Sequence, residues 1–501
     1  MTTATSDVHG RYFITPLQIL ERFLLTGSMA ATYTANDKFA DYSAENIKTV
    51  RTIFECFPDA AFKVLHDVCM LKKAPRKPPV ILALAAALGV EAIKVQAEGL
   101  AMAEINTGTD QFVLTKMLVD LGRGGGRSFK RQVNTLYRKL DRQDGEHPRD
   151  QLAMNLVKFR SRAGWTHRDI LRVGHYKPTK KNNDLFKWVV GKGPATHPLI
   201  IGFEEAGRIT TPVEAVQLLV RDPKLPWEAF PTEVLSNAPV WEALLPNLGN
   251  SALIRNLGRM SSLGIDLSPY AGRIMAACRN LHPVASLSAW KTYSQGKGLK
   301  GSLVWRPSPE VISALEAGFY ASFGSLRKSD SKVFFGLDIS GSMGTNSSTV
   351  AGLNCREVAA AMVMVAMKQQ PYMVYGFSHN LIPLDLKDDW SLPQVMQYMS
   401  NIPFGSTDCS LPIRFCNQNA IRDVDLFAIY TDNETNQRNK PSDALNEYRR
   451  NINPNAKLAT VALMGGAFSI ADPNDPGQVD FVGFDPSVPS VMVSLAEQKL
   501  V

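Results

Sequence analysis

Polar residues that suit a hard metal ion follow strand-like segments in the last third of the 501-residue sequence. Asp338, Ser340 and Ser342 form a D-x-S-x-S motif after an apolar run, Thr407 lies in a later loop, and Asp432 follows another apolar run. Two carboxylates with neutral hydroxyls suit a divalent cation, and we expect Mg²⁺ with room for a partner's carboxylate. The alternatives are an Asx/Ser turn that caps the next helix, or a relic site that only organises the loops.

Catalysis by these residues is not expected. A D-x-S-x-S string occurs by chance roughly once in ten chains of this length, so the assignment depends on the flanking elements. Asp338 lacks the second Asp of a D-x-D phosphatase, and no Ser-His-Asp or Cys-His grouping is recognisable. His379 is the only histidine between residues 331 and 501, and we interpret it as a surface-loop residue rather than a base. The sequence therefore predicts a protein that is not an enzyme.

A basic stretch runs from Arg123 to Lys181. Thr166 and Asp169 have the form of a capping box, which predicts the start of a helix. Residues four apart share a helix face, and on this ground we pair Lys158 with Arg162 and Arg168 with Arg172. The residues that we assign to nucleic-acid binding are Arg123, Arg127, Lys158, Arg162, Arg168, Arg172 and His175, the last of which follows the predicted helix.

The charge distribution favours a polyanion as the partner of the first two-thirds of the chain. Residues 331–501 carry a net charge of −5, and residues 1–330 carry +13. Basic side chains on one surface neutralise phosphates, although charge alone does not separate RNA from DNA. The alternative is a solvated helix face. For Trp165, burial between helices is expected more than stacking on a base.

The two parts of the chain differ in their predicted elements. Residues 1 to about 330 show helical periodicity without convincing strands, which favours a HEAT-type solenoid and leaves a compact bundle as the alternative. From residue 331 strand-like and helical runs alternate, which predicts a doubly wound, mostly parallel sheet with its ligand site beyond the carboxyl ends of the strands. The predicted helices include 16–25, 44–57, 60–71, 80–88, 211–220, 240–248, 251–263, 356–368, 392–399 and 442–451, and the predicted strands are 332–337, 372–377, 424–430 and 457–464.

Composition points to a cytoplasmic protein. The longest apolar runs, 80–90 and 358–367, are shorter than the ~20 residues that span a bilayer, and no signal peptide is recognisable at the start. The six cysteines form no C-x-x-C pair and no zinc-like cluster, which is typical of buried thiols in a reducing compartment.

Several long strings resemble one family in the same order along nearly the whole chain. The most specific are Gly164–Pro178 (GWTHRDILRVGHYKP), Ala252–Met260 and Tyr430–Thr435. They resemble the Ro60 family, whose members combine an RNA-binding TROVE domain with a C-terminal von Willebrand factor A domain. The D-x-S-x-S, Thr and Asp elements match the metal-ion-dependent adhesion site of such A domains. In place of the family's Trp-Tyr pair, this chain has Leu136-Tyr137.

The resemblance implies a monomeric ring of HEAT-like repeats over residues 1–330, closed by an A domain over residues 331–501. It also implies binding of small noncoding Y-like RNAs on a basic outer face and of the 3′ ends of misfolded noncoding RNAs in a central hole, in RNA quality control. By motif position, the family's RNA-contacting Lys, Arg and His fall on Lys158, Arg162 and His175. An exoribonuclease or another protein is the implied partner at the metal site. The alternative function is a Mg²⁺-dependent protein-binding scaffold that acts through the A domain.

Overall fold

The computed structural model describes residues 7, 12–34, 43–71, 73–74, 76–143, 145–298, 303–325, 328–345, 348–350, 352–369, 372–387, 389–402, 407–432, 440–465, 470–484 and 487–498. Contacts divide the chain into two compact units. The helical unit consists of Tyr42–Met70 and Lys77–Asp266, and the sheet unit consists of Met1–Asp41, Leu71–Arg76 and Leu267–Val501.

The chain begins in the sheet unit and then builds the helical unit. The first elements are α1 (Pro16–Thr26) and β1 (Thr32–Thr34). The helical unit contains α2 (Ala44–Cys56), α3 (Pro58–Met70), α4 (Lys77–Ala87), α5 (Lys94–Glu104), α6 (Gly108–Asp120), α7 (Gly126–Gln132), α8 (Thr135–Asp141), α9 (His147–Lys158), β2 (Ser161–Arg162), β3 (Trp165–Thr166), α10 (His167–Gly174), α11 (Asn183–Val189), α12 (Pro198–Ala206), α13 (Pro212–Arg221), α14 (Ala238–Leu244) and α15 (Asn250–Ser262).

Local sequence signals account for many of these helix ends. Thr15 with Gln18 and Thr211 with Glu214 form capping boxes at the starts of α1 and α13, and each helix has Pro in its first turn. The helix α4 is buried over most of its length, from Pro79 to Ala87, as its Ala/Leu-rich sequence predicts. Among the described residues no single helix is long and apolar enough to cross a membrane; the pair Lys77–Ala87 and Glu91–Glu104 passes by length and composition but is bent by 109°.

The rest of the chain builds the sheet unit. Its elements are α16 (Ala271–Arg279), α17 (Pro283–Ser294), α18 (Pro309–Ser322), β4 (Val333–Asp338), α19 (Ser342–Thr345), α20 (Cys355–Gln369), β5 (Tyr372–Phe377), β6 (Leu381–Pro383), α21 (Leu392–Ser400), α22 (Leu411–Gln418), β7 (Leu426–Thr431), α23 (Pro441–Asn451), β8 (Lys457–Ala462), β9 (Gln478–Val482) and α24 (Val488–Glu497).

The sheet has the order β1-β9-β8-β7-β4-β5-β6, and only β6 runs antiparallel to its neighbour. Every residue of β4, β7 and β8 is buried, as expected for parallel strands whose two faces are both covered. Phe334, Phe427 and Leu458 of these strands contribute to one apolar core together with Leu445 of α23. The predicted fold class, a helical part followed by a doubly wound sheet, is therefore confirmed.

The N-terminal segment departs from the sequence-based expectations. No strand was expected before residue 331, but β1 pairs in parallel with β9, and Tyr33 is opposite Phe481. The rings of these two residues lie 5.5 Å apart. Contacts group these first residues with Leu267–Val501 in one compact unit. The sequence did not predict β1, because a strand of three residues is too short to show a periodic pattern and is held at the edge of the sheet by a distant partner.

Candidate nucleic-acid interface and metal centre

The basic motif begins where α9 ends. Lys158 is the last residue of α9, and Phe159 leaves the helical conformation with φ −105° and ψ 75°. Arg162 lies on β2 opposite Trp165, and the turn between them contains Ala163 and Gly164 with φ of 53° and 80°. Two successive residues with positive φ make the tight turn that suits a two-residue hairpin. The prediction that Lys158 and Arg162 share a helix face is therefore wrong, although both side chains are exposed.

The helix α10 presents two more cations. As predicted, Thr166 and Asp169 form a capping box: the Thr166 hydroxyl donates to the Asp169 carboxylate at 2.6 Å and accepts from its backbone N–H at 3.3 Å. Arg168 and Arg172 are both exposed. Because they are four residues apart within one helix, they lie on the same face, as the sequence indicates.

His175 ends α10 in a left-handed conformation with φ 46° and donates its backbone N–H to the Leu171 carbonyl at 3.1 Å. The preceding Gly174 is needed for close packing, because an added Cβ would lie 2.6 Å from the Asn134 amide oxygen. The Asn134 amide donates to the Gly174 carbonyl at 2.9 Å. These contacts hold the backbone of His175 at the end of the helix, in a conformation that non-glycine residues adopt rarely, and its ring is exposed.

The loop after His175 is anchored by one buried carboxylate. Asp141 accepts hydrogen bonds from the Tyr176 hydroxyl at 2.8 Å, from the Thr179 hydroxyl at 2.7 Å and from the Asn182 amide at 2.9 Å. Burial raises the pKa of Tyr176, and the hydrogen bond to Asp141 raises it further. The sequence did not single out Asp141, because its partners lie 35 to 41 residues further along the chain.

The exposed cations are not neutralised by neighbouring acids. In the part of the chain that the structure describes, no ion pair involves Arg127, Lys158, Arg162, Arg168 or Arg172. Other basic residues of the same stretch do have acidic partners: Arg131 lies 2.5 Å from Glu98, and Arg149 lies 2.6 Å from Asp184. The helix α10 packs against α7, which carries Arg127, and against β3. We call Arg127, Lys158, Arg162, Arg168, Arg172 and His175 the basic surface.

Arg123 differs from the other predicted nucleic-acid ligands. It is half-buried, and its guanidinium donates to the Ala85 carbonyl at 3.1 Å and to the Leu88 carbonyl at 2.7 Å. These carbonyls belong to the end of α4, where the last carbonyls of a helix lack intrahelical partners. Burial lowers the pKa of Arg123. Its contacts indicate a structural role, and we leave it out of the basic surface.

The residues of the predicted metal site meet at the carboxyl ends of the central strands. Asp338 ends β4, accepts from the Ser340 N–H at 2.8 Å and accepts from the Thr431 hydroxyl at 3.0 Å. The Ser340 and Ser342 hydroxyl oxygens lie 3.0 Å apart. Asp432 directly follows β7, the neighbour of β4.

Thr407 lies at the same edge of the sheet. The backbone N–H of the next residue, Asp408, donates at 3.1 Å to the carbonyl of Ser378, which follows β5. Thr407 and Asp432 are buried, whereas Ser342 is exposed. The five residues therefore share one edge with access from solvent at Ser342.

The electrostatics of this edge fit a divalent cation. Burial raises the pKa of Asp338, and the nearby Asp432 charge raises it further. Two buried carboxylates that repel each other, beside hydroxyl oxygens, form a donor set that a hard cation stabilises. Among the described residues no group of three or more His, Cys, Asp or Glu could hold a metal, so any ion here would depend on the hydroxyls. His379 is exposed beside Ser378, as predicted for a surface-loop residue.

Comparison with known proteins agrees with this architecture. Residues 332–496 match the Ro60 vWA domain model, and residues 220–280 match the TROVE domain model. A curated relative from Deinococcus radiodurans, named RNA-binding protein RO60, is 32% identical over 97% of this chain and 93% of its own length. A relative of the same name from Caenorhabditis elegans is 30% identical over 75% of this chain and 67% of its own length.

A solved structure matches the chain almost end to end. The crystal structure of the Deinococcus radiodurans RO (RSR) protein aligns with a TM-score of 0.85 and 30% identity, covering 96% of this chain and 99% of that one. The fold and the carboxylate–hydroxyl edge thus define a helical protein with a von Willebrand factor A-type domain. The chain belongs to the Ro60 family.

Proposed function

We propose that this protein binds RNA through the basic surface. The observation that carries the proposal is that five exposed cations on neighbouring elements lack acidic partners among the described residues. Such side chains are free to neutralise phosphates, which supplies most of the affinity for a nucleic acid. The names of the two curated relatives, both RNA-binding proteins, support RNA rather than DNA as the ligand.

We propose small structured noncoding RNAs, similar to Y RNAs, as ligands of the basic surface, and the 3′ ends of misfolded noncoding RNAs as further ligands. The protein would protect or sort these RNAs without cleaving them, in cytoplasmic RNA quality control. His175 at the end of α10 is suited to hydrogen bonding or stacking with an unpaired base, because its ring is exposed and its backbone is held in place.

The test is a gel-shift titration of a structured RNA with a free 3′ tail at several salt concentrations. The double variant Lys158→Ala/Arg162→Ala should lower affinity about tenfold or more and reduce the salt slope by about two. A matched control is Arg208→Ala/Arg221→Ala, which removes two exposed arginines that already have acidic partners. Equal binding by the first variant and the wild type would refute the assignment of the basic surface.

A second candidate function is a Mg²⁺-dependent protein-binding scaffold. It is favoured by the edge of the sheet at which Asp338, Ser340 and Ser342 converge. A bound Mg²⁺ would leave a position for a carboxylate from a partner such as an exoribonuclease. Partner capture that requires Mg²⁺, and that disappears in Asp338→Ala, would support this function; capture that is unaffected by EDTA would contradict it.

A further inference from the structure

A cavity of about 710 Å³ lies within the helical unit, beside one end of the basic surface. It is formed by the end of α9, the segment 224–228, the residues that precede α15 and the first two turns of α15. Its volume falls within the range of about 300–1,000 Å³ that is typical of small-molecule sites. Apart from Lys158, none of its lining residues belongs to the basic surface.

The cavity is basic. Lys158, Lys224 and Arg255 line it, and Glu228 is its one acidic lining residue. The Lys224 ammonium lies 3.6 Å from Asp150, in a pair that is largely exposed. Arg255 is exposed, and no ion pair involves it in the described part of the chain. These three cations attract an anion to the cavity. They are more than a ligand with a single carboxylate group needs.

The first turn of α15 adds backbone donors to the same cavity. Gly249 occupies the N-cap position and supplies no side chain to cap the helix, unlike Thr211 at the start of α13. The N–H groups at the start of a helix have no partner within it, and here these are the N–H groups of Asn250 and Ser251, since the Ala252 N–H donates to the Gly249 carbonyl at 2.9 Å. A Cβ built on Gly249 would meet no heavy atom within 4 Å, so the space in front of this turn is open.

The remaining lining is suited to a base. Trp227 is half-buried, with its ring 6.0 Å from that of Trp241, and it contributes to the cavity wall. Asn247, Asn250 and Asn256 also line the cavity. An aromatic ring stacks on any base, and amide side chains can both donate to and accept from base edges. An acidic peptide would use the cations but would leave the ring and the amides without a function.

We propose that this cavity binds an unpaired nucleotide of RNA. Lys158, Lys224 and Arg255 contact the phosphates, and Trp227 stacks on the base. This inference rests on the proposed function, since it presupposes an RNA ligand, and it adds a separate place for a single-stranded segment. Lys158 lies where the cavity meets the basic surface, so one RNA can extend from one to the other.

The test is a fluorescence-anisotropy titration of the full chain with labelled hexauridylate, and in parallel with a blunt-ended RNA hairpin. Arg255→Gln should weaken hexauridylate binding about tenfold and reduce its salt slope by about 0.7, the share of one phosphate contact on a single strand. Hairpin binding should change less than twofold. Arg208→Gln is the matched control, because it removes one exposed arginine that does not line the cavity and should leave both affinities unchanged.

A second pair of variants tests the stacking contact. Trp227→Leu should weaken hexauridylate binding about tenfold, whereas Trp227→Phe, which keeps an aromatic ring, should retain most of it. Unchanged hexauridylate binding in Arg255→Gln, with hairpin binding intact, would overturn the cavity assignment and leave the proposed function standing. Equally tight binding of a labelled hexaglutamate would also overturn it. Failure of the wild type to bind either RNA would instead overturn the proposed function, and this inference with it.

Discussion

The Tyr137 hydroxyl lies 2.8 Å from Nδ1 of His167, and Nε2 of the same ring lies 3.1 Å from the Asn155 carbonyl. A carbonyl can only accept, so Nε2 carries a proton. Because burial lowers the pKa of His167 to about 4, Nδ1 is unprotonated near neutral pH and accepts from the hydroxyl. His167 is thus neutral and joins α8, α9 and α10 in the core of the helical unit. Since His167 is the first residue of α10, this buried contact positions the helix that presents Arg168 and Arg172.

Removing the Tyr137 hydroxyl should destabilise the protein. Tyr137→Phe leaves the buried Nδ1 of His167 without its donor, which costs about 1–3 kcal/mol of unfolding free energy. Urea unfolding followed by circular dichroism measures the loss. Tyr398→Phe is the control, because its hydroxyl accepts from the Asp385 N–H at 3.3 Å in an exposed contact. Equal unfolding free energies of the two variants would contradict a stabilising role for the contact between Tyr137 and His167.

The free energy of unfolding should also decrease as the pH is lowered, because of His167. Burial lowers the pKa of His167 from 6.5 to about 4. The unfolded chain therefore binds the proton more readily, and the contribution of the neutral ring is complete above pH 6.5 and is lost progressively as the pH falls toward 4. The total is about 3 kcal/mol. Unfolding free energies measured between these pH values should fall less steeply in His167→Gln than in the wild type; parallel curves would contradict the assignment.

Variants of Arg123 and Arg127 should distinguish an arginine that stabilises the fold from an arginine that binds RNA. Arg123→Ala removes the donors to the carbonyls of Ala85 and Leu88, and we expect a loss of about 1–3 kcal/mol of stability. Arg127→Ala should change stability by less than about 0.5 kcal/mol, because the side chain is exposed. It should instead reduce the salt slope of RNA binding by about one. Thermal unfolding and gel shifts on the same two variants measure both effects, and the reverse pattern would show that the assignments are exchanged.

A buried ion pair joins Arg449 of α23 to Asp475, and Arg22 of α1 contacts the backbone of the same aspartate. The Arg449 guanidinium makes two contacts with the Asp475 carboxylate, one at 3.2 Å, and Arg22 donates to the Asp475 carbonyl. Asp475→Asn should cost about 3–5 kcal/mol, because it leaves the buried charge of Arg449 without its counterion. The double variant Arg449→Met/Asp475→Leu should recover part of this loss in urea unfolding. A double variant less stable than Asp475→Asn would contradict this explanation.

Mg²⁺ should stabilise the sheet unit. At a Mg²⁺ concentration about one hundred times the Kd, binding to the folded state adds about 2.7 kcal/mol. We expect Mg²⁺ to raise the Tm of the wild type and to leave that of Ser340→Ala/Ser342→Ala unchanged, since the variant lacks two of the proposed ligands. Thr345→Ala, an exposed residue of the same short helix α19, is the matched control and should respond like the wild type. A wild type insensitive to Mg²⁺ would argue for a relic site.

The sequence by itself determined the features that depend on neighbours a few residues apart. Helical periodicity located α2 and α15 to within about one residue at each end, and the Thr166 and Asp169 pair located the start of α10. The D-x-S-x-S string after an apolar run placed Ser340 and Ser342 beside Asp338. These features are local, because a helix turn, a cap or a tight loop is closed by residues within the same short segment.

Only the tertiary structure decided which residues of the basic stretch face solvent and which support the core. Arg123 was predicted with the RNA ligands, yet it contacts the Leu88 carbonyl, 35 residues earlier. His167 lies within the predicted motif, but its partner Tyr137 lies 30 residues earlier. Likewise, β1 pairs with β9, which lies near the opposite end of the chain. Contacts of this kind leave no periodic signal, because they are selected by packing and by the need to satisfy buried polar groups once the elements have assembled.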